Sequence, residues 1–328
     1  MKYDTPKTYA AKHINLNERM KSQSGGAFAA FSSYVIEHNG VVYGCILDSS
    51  LNAVHVRAES LEERDKMRGS KYVQSSMRDC FKEVKNDLKN GRIVLFSGTS
   101  CQIAGLNSYL NNKYDNLLTI DIICHGVPSP LIWQKYIKWQ ELRKKSKVLH
   151  ADFRNKRDFG WRKHIETLYF ENKKYTNNNL YSKLFYNHSF LRPSCYKCPY
   201  KSIIHPGNIT IGDYWGIETI APDFDDNKGT SIILINDDKG DKWFNNIKTM
   251  FILKETIILP SLQVPLHEPF KEPKEREFAW KLVKENKFNK ILHKYAHYTY
   301  KNRCINIFRI ICNNLLMIKN YIRISKNE

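Results

Sequence analysis

Four cysteines, Cys101, Cys124, Cys195 and Cys198, are the residues of this chain whose types and spacing most plainly point to chemistry. Cys101 ends the stretch Phe96-Ser97-Gly98-Thr99-Ser100-Cys101, and Cys124 stands in Asp121-Ile122-Ile123-Cys124-His125-Gly126. Cys195 and Cys198 form a Cys-x-x-Cys pair closed by Pro199. Four thiolates are the usual ligand set of an iron–sulfur cluster, and equally of a structural zinc. A free cysteine is ordinarily a small core residue. Gly98-Thr99 and His125-Gly126 are turn residues, however, and each follows an apolar run, so both thiols are expected at the sheet edge where open α/β sheets bind ligands. Two other constellations use the same residues. Cys101 with His125 as base would be a nucleophile pair, and Cys124, His125, Cys195 and Cys198 would hold zinc. Neither explains why Cys101 has a glycine-flanked turn of its own beside the others. Cys45, Cys80, Cys304 and Cys312 lack partner spacing and read as structural.

The elements that must position these thiols follow from apolar runs and their punctuation. Ile93 to Phe96 reads as a buried strand, followed by the Gly98–Cys101 turn and a helix to about Tyr109. Leu117 to Ile123 is a second buried strand, and Pro128 opens a helix to about Lys145. Strand, turn and helix alternating from Arg92 to Lys145 is the βαβ pattern of a parallel sheet. Upstream, Ser24-Gly25-Gly26 opens an apolar helix, Ala27 to Glu37, with Ser24 as its N-cap. Val41 to Leu47 and Ala53 to Arg57 read as a hairpin, and Ser60 to Glu63 as a capping box. Two strands are expected between His150 and Thr176, and two more at Ile209 to Ile211 and Ser231 to Ile235. Residues 1–23 are polar and read as a flexible lead-in. The expected fold is α/β: a mixed sheet with βαβ units and flanking helices, plus a helical basic C-terminal region. The expected division is a lead-in over 1–23, a domain over 24–269 and an extension over 270–328.

The chain has 328 residues, an apolar fraction of 42% and a formal net charge of +19. That charge suits negatively charged cofactors, acidic protein partners or an anionic membrane face. Residues 302–325 mix apolar side chains with Arg303, Arg309, Lys319 and Arg323, an amphipathic basic pattern that fits a packed terminal helix or peripheral membrane contact. No nucleic-acid-binding signature is present, so nucleic acid is not expected as a partner. No secretory signal or uninterrupted apolar span is found, so a cytoplasmic location with reduced thiols is expected.

Five segments in order carry a resemblance. Ser24-Gly25-Gly26-Ala27-Phe28, Gly69-Ser70-Lys71-Tyr72-Val73-Gln74-Ser75, Ser97-Gly98-Thr99-Ser100-Cys101-Gln102, Cys124-His125-Gly126-Val127-Pro128-Ser129 and Arg192 to Gly216 resemble the coenzyme F420 hydrogenase/dehydrogenase beta-subunit family. The resemblance implies a flavin- and iron–sulfur-dependent oxidoreductase with FAD beside one 4Fe–4S cluster on Cys101, Cys124, Cys195 and Cys198. It also implies coenzyme F420 or another two-electron carrier as substrate. Ser24, Gly25 and Gly26, at a helix start, suit a flavin pyrophosphate. Lys71, Gln74 and Ser75 are expected near the flavin ring or its phosphates, with Ser97, Gly98 and Thr99 lining the same site. Lys71 and His125 are the catalytic candidates, a cation for the reduced ring and a proton relay. Asp213 with Arg154, Lys156 and Arg157 is expected at the substrate entrance. The family's common Gly-Thr-Pro-Cys is Gly98-Thr99-Ser100-Cys101 here. Residues 1–23 contain no cysteine, so the ferredoxin-like clusters that many members carry before Ser-Gly-Gly are absent, and ferredoxin or another redox protein is the expected electron partner. The rival expectation is a non-redox, zinc-stabilised binding or scaffold protein, with peripheral membrane contact through its tail as one form of it.

Overall fold

Val94, Leu95, Phe96, Leu118 and Ile120 are wholly buried, as strands covered on both faces require. The computed structural model describes residues 1–258 and 263–299 of the chain. Its strands are β1 (Lys2–His13), β2 (Val41–Leu47), β3 (Ala53–Ala58), β4 (Val94–Thr99), β5 (Leu117–Ile122), β6 (Val148–Asp152), β7 (Glu166–Phe170), β8 (Tyr175–Asn178), β9 (Ile209–Asp213), β10 (Ser231–Asp237) and β11 (Phe251–Thr256). Eight of them form one sheet in the order β11-β1-β10-β9-β5-β4-β2-β3. The pairs β9–β5, β5–β4 and β4–β2 are parallel, and the remaining neighbours are antiparallel. The fold is therefore α/β with a mixed sheet, and β4 and β5 are joined through a helix as a βαβ unit. Strands β6, β7 and β8 make a separate antiparallel sheet.

Helices cover both faces of the large sheet. The first six are α1 (Leu16–Lys21), α2 (Ala27–Glu37), α3 (Leu61–Asp65), α4 (Cys80–Lys89), α5 (Ser100–Leu110) and α6 (Pro130–Lys144). Phe31 and Val35 of α2 pack with Leu95, Leu118 and Ile233 on one face. Val84 and Leu88 of α4, with Ile103 and Leu106 of α5, pack with Val94 and Phe96 on the other. The basic C-terminal region is helical at Arg276–Lys284 and Phe288–Tyr295. Leu282, Ile291 and Leu292 of these helices share a core with Trp133 and Tyr136 of α6. Residues 302–325, with Cys304 and Cys312, lie outside the described residues. Among those described, no helix is long and apolar enough to cross a membrane.

One expectation fails. Residues 1–23 are not a flexible lead-in: residues 2–13 form a strand paired with β10 on one side and β11 on the other. Its polar look has a local cause. Lys12 is buried over the Phe224 ring, 4.3 Å from its centroid, and 3.8 Å from Asp226. Pro6, which cannot donate to a ladder, falls within the register shift between Lys2 and Lys7.

Candidate functional site

Strands β4, β5 and β9 run in parallel and end in register, Thr99 opposite Ile122 and Ile122 opposite Ile211. The next residues along the chain are therefore delivered to one edge: Cys101 after β4, Cys124 after β5 and Asp213 at the end of β9. A cavity of about 400 Å³ opens over this edge, and Cys101, Cys124, His125 and Asp213 line it together with Ser24, Gly26 and Lys71. Gln74, Ser75, Ser97, Gly98 and Thr99 also line it. The five motif segments, spread over nearly two hundred residues of sequence, are thus brought to one place.

Cys101 is exposed, at the second position of α5, where the dipole's positive end favours negative charge. Its Sγ lies 3.1 Å from Thr99 Oγ1. The Thr99 N–H donates to Gln102 Oε1 at 2.9 Å, and Gln102 Nε2 donates to Ser75 Oγ at 2.8 Å, so one side chain ties this turn to the Gly69–Ser75 loop. Cys195 sits in the helical turn Pro193–Lys197, anchored by the Tyr196 hydroxyl on the His188 carbonyl at 2.6 Å. Burial pushes the Cys124 thiol up to about 12 and raises that of Cys195 as well. Cys124 feels the charges of Cys195 and Cys101, and Cys195 those of Cys101 and Cys198, so the four sulfurs share one electrostatic neighbourhood. A metal ion that coordinates such a thiol deprotonates it outright. Lys201, not among the residues the motifs single out, lies beside them: its Nζ donates to the Cys124 carbonyl, and its charge opposes the rise of the Cys124 and Cys195 thiols.

Among the described residues no three His, Cys, Asp or Glu side chains converge so as to hold a single metal ion. His125 is paired with His188, Nε2 lying 2.6 Å from Nε2, one ring donating and the other accepting. Burial, then the neighbouring His188 and Lys201, holds its pKa down at about 3, so the ring is neutral. Its ring centroid lies 5.0 Å from that of Phe185 and 4.1 Å from that of Phe270, both pairs tilted. The same engagement removes it as a base for Cys101.

The Ser-Gly-Gly segment, also on the cavity lining, lies against β1 and β10. Gly25 is where it is because a Cβ there would stand 2.1 Å from the Ala11 carbonyl oxygen and 2.5 Å from the Ser231 nitrogen. Gly26, at φ +98°, rather than Ser24 is the N-cap of α2. Ser24 Oγ instead donates to the Thr230 carbonyl at 2.6 Å. Ala27 and Phe28, whose N–H groups belong to the unpaired first turn of α2, line the cavity. So does Arg68, whose side chain is 5% exposed and whose Nη1 has no partner among the described residues. Lys156 is the strut beneath this cradle: its Nζ donates to the carbonyls of Arg19, Ser24 and Lys228 at 2.6–2.9 Å.

Lys71 has a different task from the one its motif suggested. Its Nζ lies 2.8–3.2 Å from the carbonyl oxygens of Lys66, Met67, Arg68 and Gly69, closing the turn after α3. Burial lowers its pKa to about 8. Gln74 is held by its backbone, its N–H donating to the Pro128 carbonyl at 3.1 Å. Asp213 pairs with the buried Arg154 at 2.5 Å and accepts from Trp161 Nε1 at 2.6 Å. Trp161 stacks on Trp215 at 4.7 Å, and Tyr72 on Phe185 at 4.5 Å, which gives the cavity an aromatic wall. Arg157 is exposed and outside the cavity lining, whereas Lys156 is buried.

Comparison with known proteins agrees with this architecture. The family described as the C terminus of the coenzyme F420 hydrogenase/dehydrogenase beta subunit matches residues 91–258, just over half of the chain. The chain belongs to that family. A chain of the F420-reducing NiFe hydrogenase complex from Methanosarcina barkeri is similar in fold, at a TM-score of 0.52 and 19% identity, with 87% of this chain and 88% of that one covered. No curated protein matches.

Proposed function

We propose that this member of the coenzyme F420 hydrogenase/dehydrogenase beta-subunit family is an oxidoreductase that holds FAD in the cavity and one 4Fe–4S cluster on Cys101, Cys124, Cys195 and Cys198. The observation that carries the reading is the placement of those thiols: one electrostatic neighbourhood beside a cavity that Cys101 and Cys124 line. A four-iron core takes one thiolate per iron, and four are present here. Bound there, the flavin would supply two-electron chemistry and the cluster one-electron transfer.

The protein's own groups fit these tasks. The α2 first turn and the Arg68 guanidinium offer N–H donors to a pyrophosphate, with Gly25 and Gly26 allowing close approach. Lys71 and Lys156 position the two loops that frame the cradle, and Ser97, Gly98, Thr99, Gln74 and Ser75 bound the ring end. His125, neutral and tethered to His188, is assigned to orient the substrate rather than to take up a proton. Arg154 fixes Asp213 at the entrance, and the aromatic wall suits a planar carrier of the coenzyme F420 kind. The formal net charge of +19 suits an acidic redox protein, ferredoxin or another protein of the kind found in a hydrogenase complex, as electron partner.

Anaerobic purification followed by a UV–visible spectrum and iron, sulfide, zinc and flavin assays tests this. Flavin bands with an iron–sulfur shoulder and about four irons per chain are expected. A protein that stays colourless after reconstitution with FAD, iron and sulfide, or that carries zinc alone, would overturn it.

A further inference from the structure

Lys201 follows Cys198 by three residues and turns back beneath the cysteine loops. The residue is 7% exposed. Its ammonium donates to the Cys124 carbonyl and lies 5.7 Å from the Phe270 ring centroid. No carboxylate among the described residues pairs with it. An ammonium taken out of water with one carbonyl and one ring for company is strongly disfavoured unless negative charge stands near. Burial lowers its pKa, and the thiols of Cys124, Cys198, Cys195 and Cys101, once ionised, oppose that. In a chain with 52 lysines and arginines, most cations sit in water. This one is buried on the carbonyl of one of the four cysteines, Cys124.

We propose that Lys201 is the fixed counter-charge of the iron–sulfur cluster and holds its reduction potential up; the inference rests on the cluster assignment above. Four thiolates give the core a net negative charge, and taking up one electron makes it more negative by one unit. In a partly buried site a neighbouring cation interacts more favourably with the reduced state than with the oxidised one. Neutralising the cation therefore shifts the couple towards the oxidised form. The electron comes from the external donor, and Lys201 neither gains nor loses a proton in the process.

The test uses the full chain, purified anaerobically, as wild type, Lys201→Gln and Lys201→Arg. Glutamine keeps a donor for the Cys124 carbonyl without the charge, and arginine keeps the charge. Iron and sulfide are measured first. The cluster is then titrated electrochemically with mediators, read by EPR and absorbance. Lys201→Gln is expected to keep its iron while the reduced-to-oxidised ratio at fixed potential falls about tenfold, which is about 59 mV for one electron. Lys201→Arg is expected to stay within about threefold of wild type, a small part of that shift. Iron retained in Lys201→Gln with an unchanged midpoint overturns the proposal. Iron lost from Lys201→Gln but kept by Lys201→Arg supports it, because charge then decides retention; loss from both alike overturns it. Wild-type protein without iron or sulfide would instead overturn the cluster assignment itself.

Discussion

Acidifying the protein from about pH 7 to about pH 4.5 should reveal a specific cost at His55. This imidazole is 2% exposed, lines the cavity, and lies with Nε2 3.1 Å from the Ser97 carbonyl oxygen, so Nε2 carries the proton and donates. Nδ1 is buried without a partner among the described residues, so a second proton would be added where nothing accepts its hydrogen bond. Burial holds the folded pKa at about 4. The unfolded ring titrates near 6.5, so between those values the unfolded chain binds a proton that the folded chain does not. Stability therefore falls as pH falls through that window. Integrated down to about pH 4.5, the loss is about 2 kcal/mol from this group alone. Urea denaturation of wild type and His55→Gln at both pH values isolates it, because the glutamine amide can still donate to Ser97 but does not titrate. Wild type should lose about 2 kcal/mol more than the variant on acidification. Equal losses in the two proteins would refute the reasoning, since His125 and His164, also lowered by burial, contribute to both.

Three further outcomes follow from the same geometry. Serine at Cys101, Cys124, Cys195 or Cys198 should each lower iron per chain, while Cys80→Ser, at a buried helix start, should not; equal iron in all five would sink the ligand assignment. Gly25→Ala must part β1 from β10 because its Cβ meets backbone on both sides. A loss of about 1–3 kcal/mol in urea, with weaker flavin binding by fluorescence titration, is expected. Asp213→Asn leaves the Arg154 guanidinium, whose side chain is 1% exposed, without its carboxylate and should cost about 3–5 kcal/mol, whereas a loss below about 1 kcal/mol would mean that the pair is not the constraint it looks.

The sequence disclosed the parallel half of the molecule better than the antiparallel half, for a physical reason. Strands β4 and β5 are short apolar runs, so their burial is written locally, although Gly98 and Thr99, expected in a turn, end β4 itself and α5 starts directly at Ser100. Strand β1 is not written that way. Its central neighbours, β10 and β11, come more than two hundred residues later, and Lys12 is solvated in sequence terms but buried over Phe224 in space. The cap at α2 shows the same limit on a smaller scale. Ser24 has the right type and place for an N-cap, yet its hydroxyl is taken by the Thr230 carbonyl, and Gly26 starts the helix instead. Lys71 was legible as a residue of a motif but not as a closing bond on four carbonyls. Lys201 and Arg68 were hidden by number, being two cations among 52. What distinguishes them is burial without a full set of partners, which no spacing rule reports.

That asymmetry matters for how the site works as a unit. The thiols of Cys101 and Cys124 come from the parallel strands, where chain ends are delivered to one edge by topology alone. The Ser-Gly-Gly cradle rests on the antiparallel pair β1–β10, held by the Gly25 N–H on Ser231 Oγ at 2.9 Å and by the His13 N–H on the Gly25 carbonyl at 2.8 Å. The two halves meet at β9, parallel to β5 and antiparallel to β10, whose last residue Asp213 lies opposite Ser231. Register along β9 therefore fixes the distance between the cysteine edge and the cradle. Neither can shift by a residue without turning Asp213 off Arg154, since a one-residue slip reverses every side chain on the strand. A single strand thus sets how far an electron-carrying centre at the thiols would stand from a ring bound in the cavity, and the Arg154–Asp213 pair is where that spacing is locked.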